Sequence, residues 1–246
     1  MTLRFVLRAT WAEWRRLPAA LRLERLARKA VSPVVESGRL KVYRWAIEDA
    51  PLDTVDRGSG FEGREATRVE LPAVAAALDR DPRTFEERAL RGERCFTAWS
   101  VGTPVHMRWV ATQPTLVPEL GMYLCPAAGE AYVYDAFTDP ANRGRYATAA
   151  ARLAMHGAFR ADGIRTAFAY VRSDNVPSLK ALSSYHHVLF ELGFARWHRS
   201  GKPRIFGRPR HPLYPASVVL APGKPAALPL FLERESRPPR HPAVFR

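Results

Sequence analysis

The segment EAYVYDAFT, Glu130 to Thr138, constrains this chain more than any other because of the turn and helix it leads into. Its apolar and aromatic residues read as a strand over Ala131–Phe137. The next residues, DPANRGRY, form a turn with Gly144 set between Arg143 and Arg145. Ala147, Ala150, Ala151, Leu153 and Ala154 then recur at helical spacing, so a small-residue helix over 147–160 begins where the turn ends. A strand, a tight Gly-containing turn and a helix N-terminus together build an anion site, since unpaired backbone N–H groups and the helix dipole face one point. Basic turns before helices are common, so the surrounding elements decide between a phosphate-gripping turn and an ordinary loop.

Leu40–Ile47, the first of those elements, alternates and carries β-branched and aromatic residues, which predicts a strand. Asp56–Glu65 is a Gly-rich charged loop, Thr67–Leu71 a short strand, and 73–90 helix interrupted at Asp81-Pro82. Cys95–Val101 and Val105–Thr112 form a hairpin around Gly102-Thr103-Pro104, and Met122–Cys125 is another strand. Past the small-residue helix come a buried strand, Thr166–Val171, a helix over Pro177–Leu192, and a last hairpin of Phe194–His198 with Arg204–Phe206. This order predicts an α/β domain over 36–207, with a mixed, mostly antiparallel central sheet flanked by helices.

Two extensions frame it. Residues 1–35 form a basic helical extension, with Trp11, Trp14, Leu17 and Leu21 at helical spacing and Pro18 splitting it. Its 3–30 stretch suits packing on its own domain, a partner or a membrane surface. Residues 208–246 hold nine of the 21 prolines, which excludes regular helix; the tail wraps the domain through Val218, Val219 and Leu220 or stays partly disordered.

A formal net charge of +14 favours acidic partners: a phosphate-rich cofactor, an acidic carrier protein, anionic lipid or nucleic acid. The basic residues are spread along the whole chain without a helix-turn-helix, zinc or RNP pattern, so no specific nucleic acid is expected. Cys95 and Cys125 lack metal-ligand spacing and read as reduced core thiols; His106, His186 and His187 form no H-x-x-x-H pair, so no metal is expected. No secretory h-region and no apolar run of about 20 residues appear, and the expected location is the cytoplasm.

The order of elements, the RGRYAT turn (143–148) and the segments VRSDNVPSL and FELGF resemble the GNAT superfamily of acyl-CoA-dependent N-acyltransferases, over roughly residues 67–207. FEERALRGERCF, Phe85–Phe96, is similar to the FxxRxxxGxxCF segment of GNAT-like proteins from polysaccharide gene clusters. The resemblance implies transfer of an acyl group, acetyl first, from coenzyme A to a small-molecule amine by direct attack in a ternary complex. The donor it implies is acetyl-CoA or another acyl-CoA; the charge also admits an acyl carrier protein.

Residue by residue, the resemblance puts Arg143 at the family's Arg/Gln position, with Gly144 and Arg145 following. Tyr146 and Thr148, flanking Ala147, take two positions where the family has small residues. The backbone N–H groups of 143–148 would cradle pyrophosphate, and Tyr146 costs more there if its φ is positive. Ala136, Phe137 and Thr138 fall where the family pairs its strand with pantetheine. Asn175 takes the position of a cofactor-binding Asn and equally suits a helix N-cap, and Ser178 matches a small residue three positions on.

Amine acylation needs a base for the ammonium and an acid for the departing thiolate. Asp135, a carboxylate in an otherwise apolar strand, is a candidate base; pairing with a nearby arginine explains it equally. The family's acid is a Tyr on the helix after Asn175, but the count from Asn175 reaches Leu182 and the count back from Gly193 reaches Leu189. Tyr185 shares one helix face with both, as the acid or as a packing residue. These departures leave open a second class, a degenerate fold that binds without catalysing.

Overall fold

The computed structural model describes residues 35–49, 60–117, 119–182, 187–197, 203–206, 219–222 and 243–244. The helices expected over 3–30, with their membrane or partner contact, and the residues Tyr185, His186 and Val218 lie outside the described residues. The elements begin with β1 (Val35–Ala46), β2 (Glu62–Glu65), α1 (Leu71–Ala77), α2 (Pro82–Leu90), β3 (Arg94–Ser100) and β4 (Thr103–Ala111). Then come β5 (Thr115–Val117), β6 (Met122–Cys125), β7 (Glu130–Thr138), α3 (Ala147–Ala161), β8 (Thr166–Arg172) and α4 (Val176–Leu182). The last are β9 (His187–Trp197), β10 (Pro203–Phe206), β11 (Val219–Pro222) and β12 (Ala243–Val244).

One eight-stranded sheet runs β10-β9-β1-β8-β7-β4-β3-β2, and a four-stranded one runs β12-β11-β6-β5. In the large sheet every neighbouring pair is antiparallel except β7 with β8. The fold is therefore the mixed, mostly antiparallel sheet flanked by helices that the order of elements predicts. Among the described residues no helix is long and apolar enough to cross a membrane.

Side chains alternate across the sheet and so sort into two layers. Val110, Ala131, Val133 and Ala167 face α3, meeting Met155 and Phe159. Met107 and Trp109 face the other way, against Leu71, Val74 and Leu78 of the α1 region and Phe85 of α2. Ala111, Tyr132 and Phe168 share that second face further along, under Val117, Leu120 and Leu124 of the small sheet. Both Cys95 and Cys125 are buried free thiols.

Three readings change. Thr67–Leu71 is not a strand: Thr67 to Glu70 is a turn in which the Glu70 carboxylate accepts from the Thr67 N–H and hydroxyl at 2.8 Å and from Arg64 at 2.6 and 2.8 Å. The strand is β2, inside the stretch read as a loop, where the ladder to β3 overrides a charged, glycine-containing composition. The helix read over Pro177–Leu192 ends at Leu182, and His187–Trp197 is a strand paired with β1 from Val35 to Arg44 and with β10. A few residues at i, i+3 and i+7 cannot outweigh two ladders, so Leu182 and Leu189 share no helix face.

The small residues of α3 have a packing purpose. Ala147, Ala150 and Ala151 sit with Ala98 and Val105, and the helix comes so close to the edge strand that a Cβ on Gly63 would stand 1.9 Å from the Ala150 carbonyl oxygen. Backbone cannot swing aside as a side chain can, so overpacking here shifts α3 as a body. Gly63→Ala is expected to cost about 1–3 kcal/mol, read as a lower unfolding midpoint. An unchanged midpoint would mean that β2 and α3 do not touch.

Candidate active site

Strands β7 and β8 pair only over Glu130–Tyr132 with Thr166–Phe168. Beyond that β7 runs on to Thr138 along β4, and β8 to Arg172 along β1, with no ladder between them. A wedge therefore opens in the middle of the sheet. Its cause is a bulge: Met107 faces Phe137 and Trp109 faces Tyr134, so Asp135 and Ala136 together oppose Arg108. Asp135 takes φ +45°, a left-handed conformation that Asp tolerates better than most residues. Asp135 and Ala136 are exposed although they lie on an inner strand.

The apolar surroundings that the sequence suggests for Asp135 are thus replaced by an open cleft. The carboxylate pairs with Arg88 of α2 at 2.5 Å and is 37% exposed. Arg88 also lies over the rings of Trp109 and Tyr134, at 5.2 and 5.0 Å. It stands at the arginine position of the FxxRxxxGxxCF pattern in FEERALRGERCF, whose Phe85 packs edge-on against Trp109.

The wide end of the wedge is the turn. A short 3-10 turn, Pro140–Asn142, leads to Arg143 in extended conformation and Gly144 at φ +75°, with open space where a Cβ would stand. Tyr146 is the N-cap of α3 at φ −68° and provides no side-chain cap, so the strain foreseen for it does not arise; glycine takes the left-handed position. The first α3 donor with an intrahelical acceptor is the Ala150 N–H, on Tyr146. Among the described residues, the N–H groups of 144–149 meet no backbone acceptor, and the first turn carries no acidic residue. Arg143 and Arg145 are exposed beside them, Arg143 donating to the Thr138 carbonyl at 3.3 Å.

A buried polar chain holds this end in place. Arg108, 7% exposed, donates to the Thr148 carbonyl at 3.2 Å and to His106 Nε2 at 3.3 Å. An accepting Nε2 leaves the proton on Nδ1, which lies 2.7 Å from the Thr138 hydroxyl; that hydroxyl reaches Thr148 Oγ1 at 3.3 Å. Burial, and then the charge of Arg108, hold the His106 pKa well below its usual range. The Arg108 guanidinium thus adds positive charge behind the positive end of α3. Sequence reading found the turn but not Arg108, which sits in a plain alternating strand and gives no local signal.

At the end of β8, Asn175 Oδ1 accepts from the Ser178 N–H at 3.3 Å, so Asn175 caps α4. Because β7 and β8 are parallel, this cap and the 143–148 turn lie at the same end of the sheet. Phe137, Thr138, Arg143, Gly144, Arg145, Tyr146, Ala147 and Thr148 thus form one continuous rim, and Asn175 and Ser178 close the other strand. Tyr185 is not among the described residues.

The folded-state pKa of His106 is depressed, so its contribution to stability is complete above the unfolded value of about 6.5 and is lost as pH falls below it. Proton–nitrogen spectra are expected to keep this ring neutral, protonated on Nδ1, as pH falls through the ordinary histidine value of about 6.5. A ring that titrates at its ordinary pKa would remove the buried chain.

No protein-family model matches the sequence, and no curated protein matches it. Solved structures do resemble the chain. A GNAT-family protein from Novosphingobium aromaticivorans matches at 18% identity, covering 66% of this chain and 64% of its own, with TM-score 0.45. A GNAT-family acetyltransferase from Colwellia psychrerythraea matches at 16% identity, with 66% and 56% covered and TM-score 0.43. A GCN5-related N-acetyltransferase from Sphaerobacter thermophilus matches at 15% identity, with 70% and 56% covered and TM-score 0.47. The chain thus spans less than two thirds of the length of each of these structures. All three TM-scores lie below 0.5, and what the site can do is carried by its own geometry.

Proposed function

We propose that this chain is an acyl-CoA-dependent N-acyltransferase. The observation that carries the reading is the wedge in the sheet with unpaired amides at its wide end. Backbone groups of β7 beyond Tyr132 have no partner strand on the β8 side, and an extended ligand carrying amides satisfies them as an added strand would. Val133 to Thr138 gives roughly 20 Å of such edge at strand spacing, enough for an extended pantetheine arm. The N–H groups of 144–148, with Arg143 and Arg145, suit the pyrophosphate, and Arg108 supplies further positive charge behind them.

In this arrangement the thioester lies toward the closed end, where β7 and β8 meet. The donor supplies an activated acyl group; the protein holds it and the amine together, which is worth several orders of magnitude by itself. The amine nitrogen bonds to the acyl carbon as the carbon–sulfur bond breaks; the nitrogen gives up a proton and the leaving sulfur takes one. Asp135 faces the cleft but is held by Arg88, so as the base it acts within an ion pair. An acyl-enzyme on cysteine does not fit, because burial pushes the Cys95 and Cys125 thiols up to about 12, far from thiolate at neutral pH.

Calorimetry with acetyl-CoA and longer acyl-CoAs tests the reading. Binding is expected, and Arg143→Ala should weaken it by about tenfold or more, the loss of a charge-assisted contact. No binding of any acyl-CoA removes coenzyme A as the donor; if an acyl carrier protein then binds instead, the donor is the carrier, and if neither binds the acyltransferase reading fails.

A further inference from the structure

On the face of the sheet opposite α3, three tyrosines are piled across the point where β7 and β8 part. Tyr134 stacks on Tyr132 with centroids 4.9 Å apart and planes 11° apart, and Tyr132 on Tyr170 at 6.0 Å and 19°. Each end of the pile is tied to a carboxylate. The Tyr134 hydroxyl donates to Glu93, in the turn after α2, and the Tyr170 hydroxyl donates at 2.7 Å to Glu119, in the turn between β5 and β6.

The middle of the pile is poorly satisfied. The Tyr132 hydroxyl is fully buried and makes no hydrogen bond of full geometry among the described residues; the Tyr170 hydroxyl, which donates to Glu119, gives it a weak contact, and Tyr134 and Glu119 bear on it through charge. Across the ladder from Tyr134, Trp109 is fully buried with its Nε1–H unmet. A buried polar group left poorly paired is costly, so the Tyr132 hydroxyl marks a place where a ligand or water completes it.

Charge decides which ligand. Glu93 is neutralised by Arg91 at 2.9 Å and Asp135 by Arg88 at 2.5 Å. Glu119 has no cationic partner among the described residues, although the chain carries +14 overall. A carboxylate without a cationic partner among the described residues, beside aromatic faces and a poorly met hydroxyl that can accept a hydrogen bond, offers an ammonium group an ion pair, a ring face and an acceptor, and repels an anion.

We propose that the acyl acceptor is a cationic small amine whose ammonium group binds between Glu119 and the Tyr132–Tyr170 pair. This deepens the acyltransferase reading and rests on it for the word acceptor, though not for the ammonium site itself. Donor and acceptor would then approach the closed end of the wedge from its two faces, the donor from the α3 turn and the amine from the tyrosine pile.

The test is calorimetry on the full chain at neutral pH, with and without saturating coenzyme A. Phenethylamine and 1,4-diaminobutane serve as cationic probes, and aspartate as an amine with net negative charge. Both cations are expected to bind and aspartate to fail. Glu119→Gln should weaken the cations at least tenfold without changing acetyl-CoA affinity, and Tyr170→Phe should act in the same direction. Tyr132→Phe should lower amine affinity while raising the unfolding midpoint, since it deletes a buried, poorly met hydroxyl; a purely packing role would not couple the two. Equal binding to wild type and Glu119→Gln, preference for aspartate, or no amine binding beside intact acetyl-CoA binding overturns the acceptor class and leaves the donor reading standing. Glu119-dependent amine binding in a protein that takes no acyl thioester sinks acyl transfer and keeps the ammonium site.

Discussion

Two parallel strands that pair for three residues and then separate are the constraint on which the site depends. A sheet normally satisfies every inner backbone group through its neighbours, so a gap in the middle must be held open by something and filled by something. The bulge of Asp135 and Ala136 against Arg108 bends β7 away from β8 while leaving its pairing with β4 intact on either side. Arg88 then holds the displaced Asp135 side chain from above. Without that pair, the left-handed backbone at Asp135 has less to offset it.

The buried chain from Arg108 through His106 and Thr138 to Thr148 links the bulge to the first turn of α3. It makes the gap and the amide-lined turn one rigid unit, because its hydrogen bonds are buried or half-buried and costly to break. The positive charge behind the helix start also raises the electrostatic pull of that turn on an anion beyond what the dipole alone provides. Exposed Arg143 and Arg145 lie in front of it. The turn is thus charged from two sides.

The sequence disclosed much of this frame, where the signal was local. Gly144 between two arginines, with a strand before and a helix after, marked the turn, and the Asp81-Pro82 step marked the start of α2, where Asp81 accepts from the Arg83 N–H. The signal failed where pairing partners lie far away in the chain. His187–Trp197 becomes a strand because β1 and β10 pair with it, and residues 183–192 alone contain no trace of those ladders. The tyrosine pile was equally hidden: Tyr132 and Tyr134 are neighbours on one strand, but Tyr170, Glu93 and Glu119 join them only through the sheet and its connecting turns. Asp135 looked desolvated because its sequence neighbours are apolar, and a backbone bulge cannot be read from side-chain types.

The position of β1 has a consequence for how the molecule is made. This strand lies between β8 and β9, pairing Leu40 with Arg172 and Val35 with Trp197, so both its partners come more than a hundred residues later. As the chain leaves the ribosome, β1 emerges well before either partner and must wait with both edges bare until β8 and β9 have been synthesised. Its many charged residues, Glu36, Arg39, Lys41 and Arg44, are the kind that discourage an exposed strand from pairing with a stranger. Such distant pairing makes for slow closure of the sheet, and β9 and β10 can join the rest only through a strand that was in place long before them.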